Sequence, residues 1–394
     1  MKLANSLTAF QWDKPLAMPG GVDMMGVAEK QGVAFSAAGW REARLDHTID
    51  ADALGRAIRR QLRPLSAPTL AAARNGYARK QVPDMPPYLI IEPVGGACPR
   101  KCGFCSINVT QRPRADGRMA RAGMMKWDGY EKIMREFGEW GGGYGVSIYE
   151  LGETGLYRGK DKDGNKKDWA DLVDCAKKVG RFKIANMSTS GDCDNLARLL
   201  DCDLDDLIFS IDGLDKSTYE TNRPSTIPND TASFERTIER VMAFLELKAA
   251  RGVPRPFCRM QIINNSLCAP QVHDFVRHWI QVPGIDDVFV KHLDSMAAWI
   301  KGLVTEEEDA IKAAQVGDMP CQHIWEVASV TWTGVFNACS HDARTELHDG
   351  HSIYNSTFRE WWQGRFMNEL RLEHVGGAKR EPCVSCRDRD CWLG

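Results

Sequence analysis

The chain predicts an α/β fold around one curved, mainly parallel sheet, and two observations carry that prediction. Six short apolar segments alternate with segments of helical periodicity between residues 88 and 292. Strands separated by helices pair in parallel through right-handed crossovers rather than as hairpins. Composition supplies the second bound. A chain of 394 residues, 43% hydrophobic and 26% charged, is an ordinary globular protein with room for one large domain and appendages.

Residues 1–85 read as a mainly helical N-terminal extension. A helix is expected over 49–62, ended by Pro64, with a second over 69–79. Between Leu54 and Lys80 stand seven basic residues (Arg56, Arg59, Arg60, Arg63, Arg74, Arg79, Lys80) and no acidic one. A solvated helix face is the plain reading of that stretch; docking of nucleic acid or an acidic peptide is the sharper one. The net charge of −2 calls for no polyanionic partner. Gln11, Asp13 and Lys14 interrupt the N-terminal apolar stretch, so it is not a signal peptide. No apolar run approaches the ~18 residues of a membrane span, and a cytoplasmic protein without membrane contacts is expected.

Pro83, Asp84, Met85, Pro86 and Pro87 form a linker, because prolines remove the backbone donors that regular structure needs. A barrel-like domain is then expected over 86–305. Its strands are predicted at 88–92, 146–151, 182–187, 206–211, 257–263 and 287–292, with helices at 127–140, 168–179, 195–200, 233–248 and 271–280. Residues 158–167, rich in Lys, Asp and Gly, are a solvated loop. Residues 306–394 form a small cysteine-rich domain.

Thirteen cysteines are many for a chain without a secretion signal, and in a reducing compartment they read as metal or redox ligands. Cys98, Cys102 and Cys105 crowd one loop just after the first strand. A structural zinc site closes with four ligands, so three thiolates and an open position favour a reactive centre. Dense cysteine loops also hold iron–sulfur clusters. A zinc loop is the plain alternative. Cys175, Cys193, Cys202, Cys258 and Cys268 are scattered through strand and helix contexts, where a small buried hydrophobe is the better reading.

The spacing C-x3-C-x2-C, with Phe104 before the last cysteine, resembles the signature of the radical S-adenosylmethionine (SAM) enzymes. The resemblance implies a partial (β/α)6 TIM-like barrel whose active residues lie at the C-terminal strand ends. It also implies a [4Fe–4S] cluster on Cys98, Cys102 and Cys105, with its fourth iron left for SAM. Gly152 and Glu153 close the second strand and resemble the family's Gly-Gly-Glu motif, which receives the SAM amine. Leu151 replaces the first glycine and Thr154 stands where proline is common. Ser210 at the fourth strand end and Arg223 downstream resemble the pair that serves the SAM carboxylate, a task suited to a permanently charged fork. Ser188 ends the third strand, where relatives offer polar groups to SAM.

The C-terminal cysteines carry a second resemblance. Cys321 and Cys339 are spaced C-x12-G-x4-C around Gly334, followed by Cys383, Cys386 and Cys391. With the helix expected over 358–371, they are similar to the SPASM and twitch extensions, which bind auxiliary clusters. Five cysteines are too few for two clusters. The resemblance therefore implies one auxiliary [4Fe–4S] cluster on Cys321, Cys339, Cys383 and Cys386, with Cys391 as a substitute; zinc on the same ligands is the alternative.

Taken together, the resemblance covers residues 88–394 and implies reductive cleavage of SAM to a 5′-deoxyadenosyl radical that abstracts a substrate hydrogen. Oxidation, epimerisation or rearrangement would follow, with electrons from a donor such as a flavodoxin or ferredoxin. Lys291, His292 and Asp294 at the sixth strand end are the candidates for proton transfer. The substrate is expected to be a peptide or a small amino-acid-like molecule, although no leader-binding segment is recognisable in residues 1–85. The basic stretch 54–80 motivates an alternative, rearrangement of an amino-acid adduct on a DNA base. A non-catalytic iron–sulfur electron carrier or zinc-bound interaction protein is the reading of a different class, and it would have no use for Glu153 or Arg223.

Overall fold

The computed structural model describes residues 78–107, 122–293 and 320–386. The helix expected at 49–62, most of that at 69–79, Asp294, the side chain of His292, and Cys391 lie outside the described residues.

In chain order the main elements are β1 (Tyr88–Ile91), α1 (Trp127–Glu139), β2 (Gly145–Ser147), α2 (Trp169–Lys178), β3 (Ile184–Thr189), β4 (Asp206–Ser210), α3 (Lys216–Asn222), α4 (Ser233–Arg251), β5 (Phe257–Asn264), α5 (Val272–Trp279) and β6 (Asp287–His292). The C-terminal part adds α6 (His323–Glu326), β7 (Val327–Val330), β8 (Phe336–Asn337), α7 (Phe358–Trp362) and α8 (Arg365–Gly376). One eight-stranded sheet runs β6-β5-β4-β3-β2-β1-β7-β8, parallel except for the last pair. β1 and β4 are buried along their whole length, as expected of strands covered on both faces. No helix among the described residues is long and apolar enough to cross a membrane.

Local chemistry sets the helix limits. Asp168 accepts from the backbone N–H groups of Ala170 and Asp171, and the Asp171 carboxylate accepts from Asp168 N–H, which starts α2 with a reciprocal cap. Thr357 and Glu360 do the same for α7. α1 buries Tyr130, Ile133, Met134 and Phe137, the spacing of a single helical face.

The six predicted barrel strands are present, and three differences from the sequence reading are informative. β2 ends at Ser147 rather than 151, because the chain turns there toward Gly152. The loop at 158–167 contains a two-rung antiparallel ladder between Gly159–Lys160 and Lys166–Lys167, closed by Asp161 accepting from the N–H groups of Asp163 and Asn165. Most consequentially, the sheet continues past β1. β7 pairs in parallel with it, Tyr88 opposite Val327 and Ile91 opposite Val330, so the C-terminal region is built onto the barrel sheet.

One aromatic core joins the two regions. Phe137 of α1 packs on Phe182 at 4.9 Å and on Phe358 at 5.4 Å between ring centroids. Phe358 and Trp361 close on Phe336 at 5.1 and 5.6 Å. The proline-rich linker, irregular as predicted, docks here too: Trp362 Nε1 donates to the Pro83 carbonyl at 2.9 Å.

Candidate functional site

The cysteine loop leaves the C-terminal end of β1 and is stitched to the segment after α3. Lys101 N–H donates to the Pro224 carbonyl at 2.8 Å, and Thr226 N–H to the Pro99 carbonyl at 2.9 Å. Below the loop, the buried Arg100 guanidinium pairs with Asp192 at 2.8 Å and donates to Thr237 Oγ1 at 2.7 Å. Cys102 and Phe104 pack with Ile263 and Leu293, at the ends of β5 and β6, and Cys105 packs beside them.

Burial pushes all three thiols up. The Glu153 carboxylate adds to the effect on Cys98, and at Cys102, pushed up to about 12, the Arg223 guanidinium acts in the opposite direction. Cys102 and Cys105 each disfavour the Cys98 thiolate, so the sulfurs share one electrostatic neighbourhood. That donor set fits a metal centre, because coordination deprotonates a thiol and turns this mutual repulsion into ligation.

Every described residue expected to touch SAM lies near this loop or on the adjacent strand ends. A Cβ on Gly152 would come within 1.9 Å of the Val94 carbonyl, so only glycine lets the chain pass there. Glu153 is buried, and its N–H donates to the carbonyl of Ala97, beside Cys98. Its carboxylate accepts from Gly155 N–H, Thr189 Oγ1 at 2.9 Å and Ser190 N–H at 2.7 Å. The Cys193 thiol hydrogen-bonds to the same carboxylate, so Glu153 is held from four sides. Ser188 and Ser210, both singled out in the sequence, face each other at 3.1 Å, and Gln261 Nε2 donates to Ser210 at 3.3 Å. The Arg223 guanidinium lies 5.5 Å from the Phe104 ring centre and grips buried Asp212 through Nε and Nη2 at 2.6 and 2.5 Å. Burial pulls this guanidinium down, but the Asp212 carboxylate outweighs it and holds it charged, and a Cys102 thiolate would act in the same direction. Lys291 is half-buried at the end of β6.

A second cysteine site forms in the C-terminal region. Burial lifts the Cys339 thiol far above its ordinary range, and Cys321, Cys386 and Cys383 reinforce the shift, so the four sulfurs share one electrostatic neighbourhood. Cys321 N–H donates to His374 Nδ1 at 3.1 Å. Gly334 sits at φ 81° with Ile353 pressed where a side chain would be, which accounts for glycine in the C-x12-G-x4-C spacing. Arg371 is buried here, lies 4.4 Å from the centre of the Trp362 ring and donates to oxygens of Ile324, Trp362 and Asn368, while its Nη2 has no hydrogen-bond partner among the described residues. A buried cation with no carboxylate partner among the described residues is costly, and a negatively charged centre nearby would offset it.

Two groups of residues escaped the sequence reading. His323 and His341 place ligand nitrogens near the Cys339 sulfur, within 4.8 Å of one another. Each follows a cysteine by two residues, a repeat visible in the sequence. Burial, then His341, holds the His323 imidazole neutral, with a pKa of about 3. The second group is a set of carboxylates between the two sites. Glu92, at the end of β1, accepts from Trp332 N–H at 3.1 Å and is pushed by burial to about 8. Glu150 is raised well above its ordinary value by burial, Glu92 and Asp342, and its Oε2 has no partner. Asp342, raised by burial to about 6, follows Cys339 by three residues.

No family model matches the chain, and no curated protein matches it in sequence. Solved structures do match. SuiB of Streptococcus suis bound to S-adenosylmethionine is 14% identical over 87% of this chain and 80% of that one, with a TM-score of 0.54. SuiB bound to its precursor peptide SuiA is 13% identical over 81% and 72%, with a TM-score of 0.53. Native anSMEcpe with bound AdoMet is 16% identical over 77% and 88%, with a TM-score of 0.51. At these identities the likeness defines the fold. The chain carries the partial-barrel fold of the radical SAM enzymes.

Proposed function

We propose that the chain is a radical SAM enzyme with one auxiliary iron–sulfur centre. The observation that carries this reading is the gathering of Cys98, Cys102 and Cys105 beside Glu153 and Arg223, with Ser188 and Ser210 on neighbouring strand ends of a fold that binds SAM in its neighbours. When bound, the reduced cluster would supply the electron that splits SAM into methionine and a 5′-deoxyadenosyl radical able to take a substrate hydrogen. The protein's part is to hold and orient. Cys98, Cys102 and Cys105 would ligate three irons. Glu153 would accept from the SAM amine and Arg223, aimed by Asp212, would donate to its carboxylate. Phe104 lies against the Arg223 guanidinium, its ring centre 5.5 Å away. Cys321, Cys339, Cys383 and Cys386 are the cysteines available to the auxiliary centre.

A peptide or small amino-acid-like molecule is the substrate class we favour, with oxidation, epimerisation or rearrangement as the outcome. The peptide carried by SuiB supports the first of these substrates. The DNA-base alternative draws on residues 54–80, nearly all outside the described residues. Incubating the reduced enzyme with deuterated peptide or small-molecule extracts separates the classes, since only the fraction holding substrate would place deuterium in 5′-deoxyadenosine.

Anaerobic reconstitution is the direct test. Two four-iron clusters give about eight irons per chain, and replacing Cys98, Cys102 and Cys105 by Ala should leave about four. Stoichiometric zinc, with no charge-transfer absorbance, would overturn the reading.

A further inference from the structure

The two cysteines that open the auxiliary site each belong to a Cys-x-His pair, Cys321 with His323 and Cys339 with His341. The fold turns this repeat into proximity. Ligand atoms of His323, Cys339 and His341 all lie within 4.8 Å of one another. The two imidazole rings meet edge to face with centroids 6.2 Å apart, so neither ring stacks over the other and covers its approach to a common centre. His323 is buried on α6, one turn before the strand that joins the barrel sheet. The backbone of Cys321 is fixed from α8 by His374. Cys339 is fixed from its other side, where Asn337 Nδ2 donates to its carbonyl at 2.8 Å. The ligand-bearing segments are thus held by the fold itself.

We propose that His323 and His341 ligate the auxiliary centre together with Cys339, making it a mixed cysteine–histidine iron–sulfur site; the assignment rests on the two-centre reading above. Six side chains then compete for four positions, which leaves two of Cys321, Cys383 and Cys386 outside the set. The exchange changes the charge of the centre. A thiolate ligates with a full negative charge, whereas an imidazole ligates as a neutral group. Each replacement makes the centre less negative and raises its reduction potential, the effect that paired histidines have in two-iron centres.

The first test needs no substitution at the site. Full-length protein grown with 15N-histidine, reconstituted anaerobically and reduced, is compared with unlabelled protein by pulsed electron paramagnetic resonance. We expect strongly coupled nitrogen lines on the auxiliary centre that shift with the isotope. The first cluster cannot produce that shift, because its protein ligands are cysteines and the added SAM is unlabelled. His323→Ala and His341→Ala should each remove one coupling and lower the auxiliary potential, and imidazole added to His341→Gly should restore the lost coupling. A reduced auxiliary centre with isotope-independent spectra overturns the assignment, as does stoichiometric zinc in its place. If the Cys98, Cys102 and Cys105 triple Ala variant holds no iron, the two-centre reading itself fails, and this assignment with it.

Discussion

Arg223 shows how a residue is prepared for a ligand before the ligand arrives. Asp212 takes two of its guanidinium nitrogens, and Asp212 is itself fixed by Ile263 N–H at 2.6 Å. If the remaining Nη1 serves a carboxylate, Asp212→Asn should weaken SAM binding almost as much as Arg223→Ala. A lost charged hydrogen bond costs roughly 1.5–3 kcal/mol, about ten- to a hundredfold in affinity, and Glu153→Ala should lose a similar amount. Equilibrium dialysis with the reconstituted protein measures this; normal SAM binding by both Glu153→Ala and Arg223→Ala would show that neither residue contacts the ligand. Glu92 yields a prediction of opposite sign. Burial raises its carboxyl from 4.5 to about 8, so the folded state keeps a proton that the unfolded state releases between those values. Its contribution to stability is therefore full below pH 4.5 and falls as pH rises toward 8, by about 1.4 kcal/mol per pH unit where one proton is released. Glu92→Gln should flatten the decline and raise the melting temperature at pH 8.5; an unchanged slope would mean that Glu92 is ionised in the fold. Arg223 and Glu153 were legible in the sequence because they sit in motifs. Asp212 and Glu92 were not, since only folding gives them an arginine to aim or a pocket to be buried in.

At the scale of elements, the cysteine loop is a strand-end connection clamped from below. Asp192, just past β3, receives Arg100 from the loop and Arg236 and Arg240 from α4. Burial alone would raise the Asp192 carboxyl, yet the arginines outweigh it and hold it below its ordinary range. The Arg100–Asp192 pair is almost fully dry, with side chains 0% and 3% exposed. Removing one member of such a pair costs about 3–5 kcal/mol, because the other charge stays buried alone. Asp192→Asn should therefore lower the melting temperature and reduce iron at the first centre while leaving the auxiliary iron in place. Iron counted before and after replacing Cys321 and Cys339 tells the two losses apart; equal loss from both centres would mean that Asp192 holds the whole fold rather than the loop. The barrel strands were readable because parallel strands buried on both faces are continuous apolar runs. β7 was not, because its four residues, Val327–Val330, lie between cysteine-bearing segments and nothing local states that their partner is β1. α3 escaped for a related reason: its seven residues hold only two buried side chains, Tyr219 and Asn222, too few for a helical stripe.

On the scale of the whole molecule, the two sites stand on one framework. β1 leads into the first cysteine loop and pairs with β7, which lies between Cys321 and Cys339. Glu136 of α1 accepts from the N–H groups of Phe358 and Arg359 at 3.0 and 2.9 Å, so a barrel helix caps the start of α7. Sheet pairing and the aromatic core thus join the C-terminal region to the barrel independently of its cysteines. That independence shapes the last prediction. SAM's expected contacts, Glu153, Ser188, Ser210 and Arg223, all come from the barrel, so reductive cleavage should need only the first centre. Cys321→Ala combined with Cys339→Ala should still produce 5′-deoxyadenosine from SAM and dithionite, at a rate within a few-fold of the unsubstituted protein, yet fail to turn over substrate. Because a metal centre also staples the segments that ligate it, a circular dichroism spectrum and melting curve must first establish that the variant is folded. A folded variant that releases product at the normal rate would reduce the auxiliary centre to a structural staple, and one that cannot cleave SAM would place it on the electron path into the first.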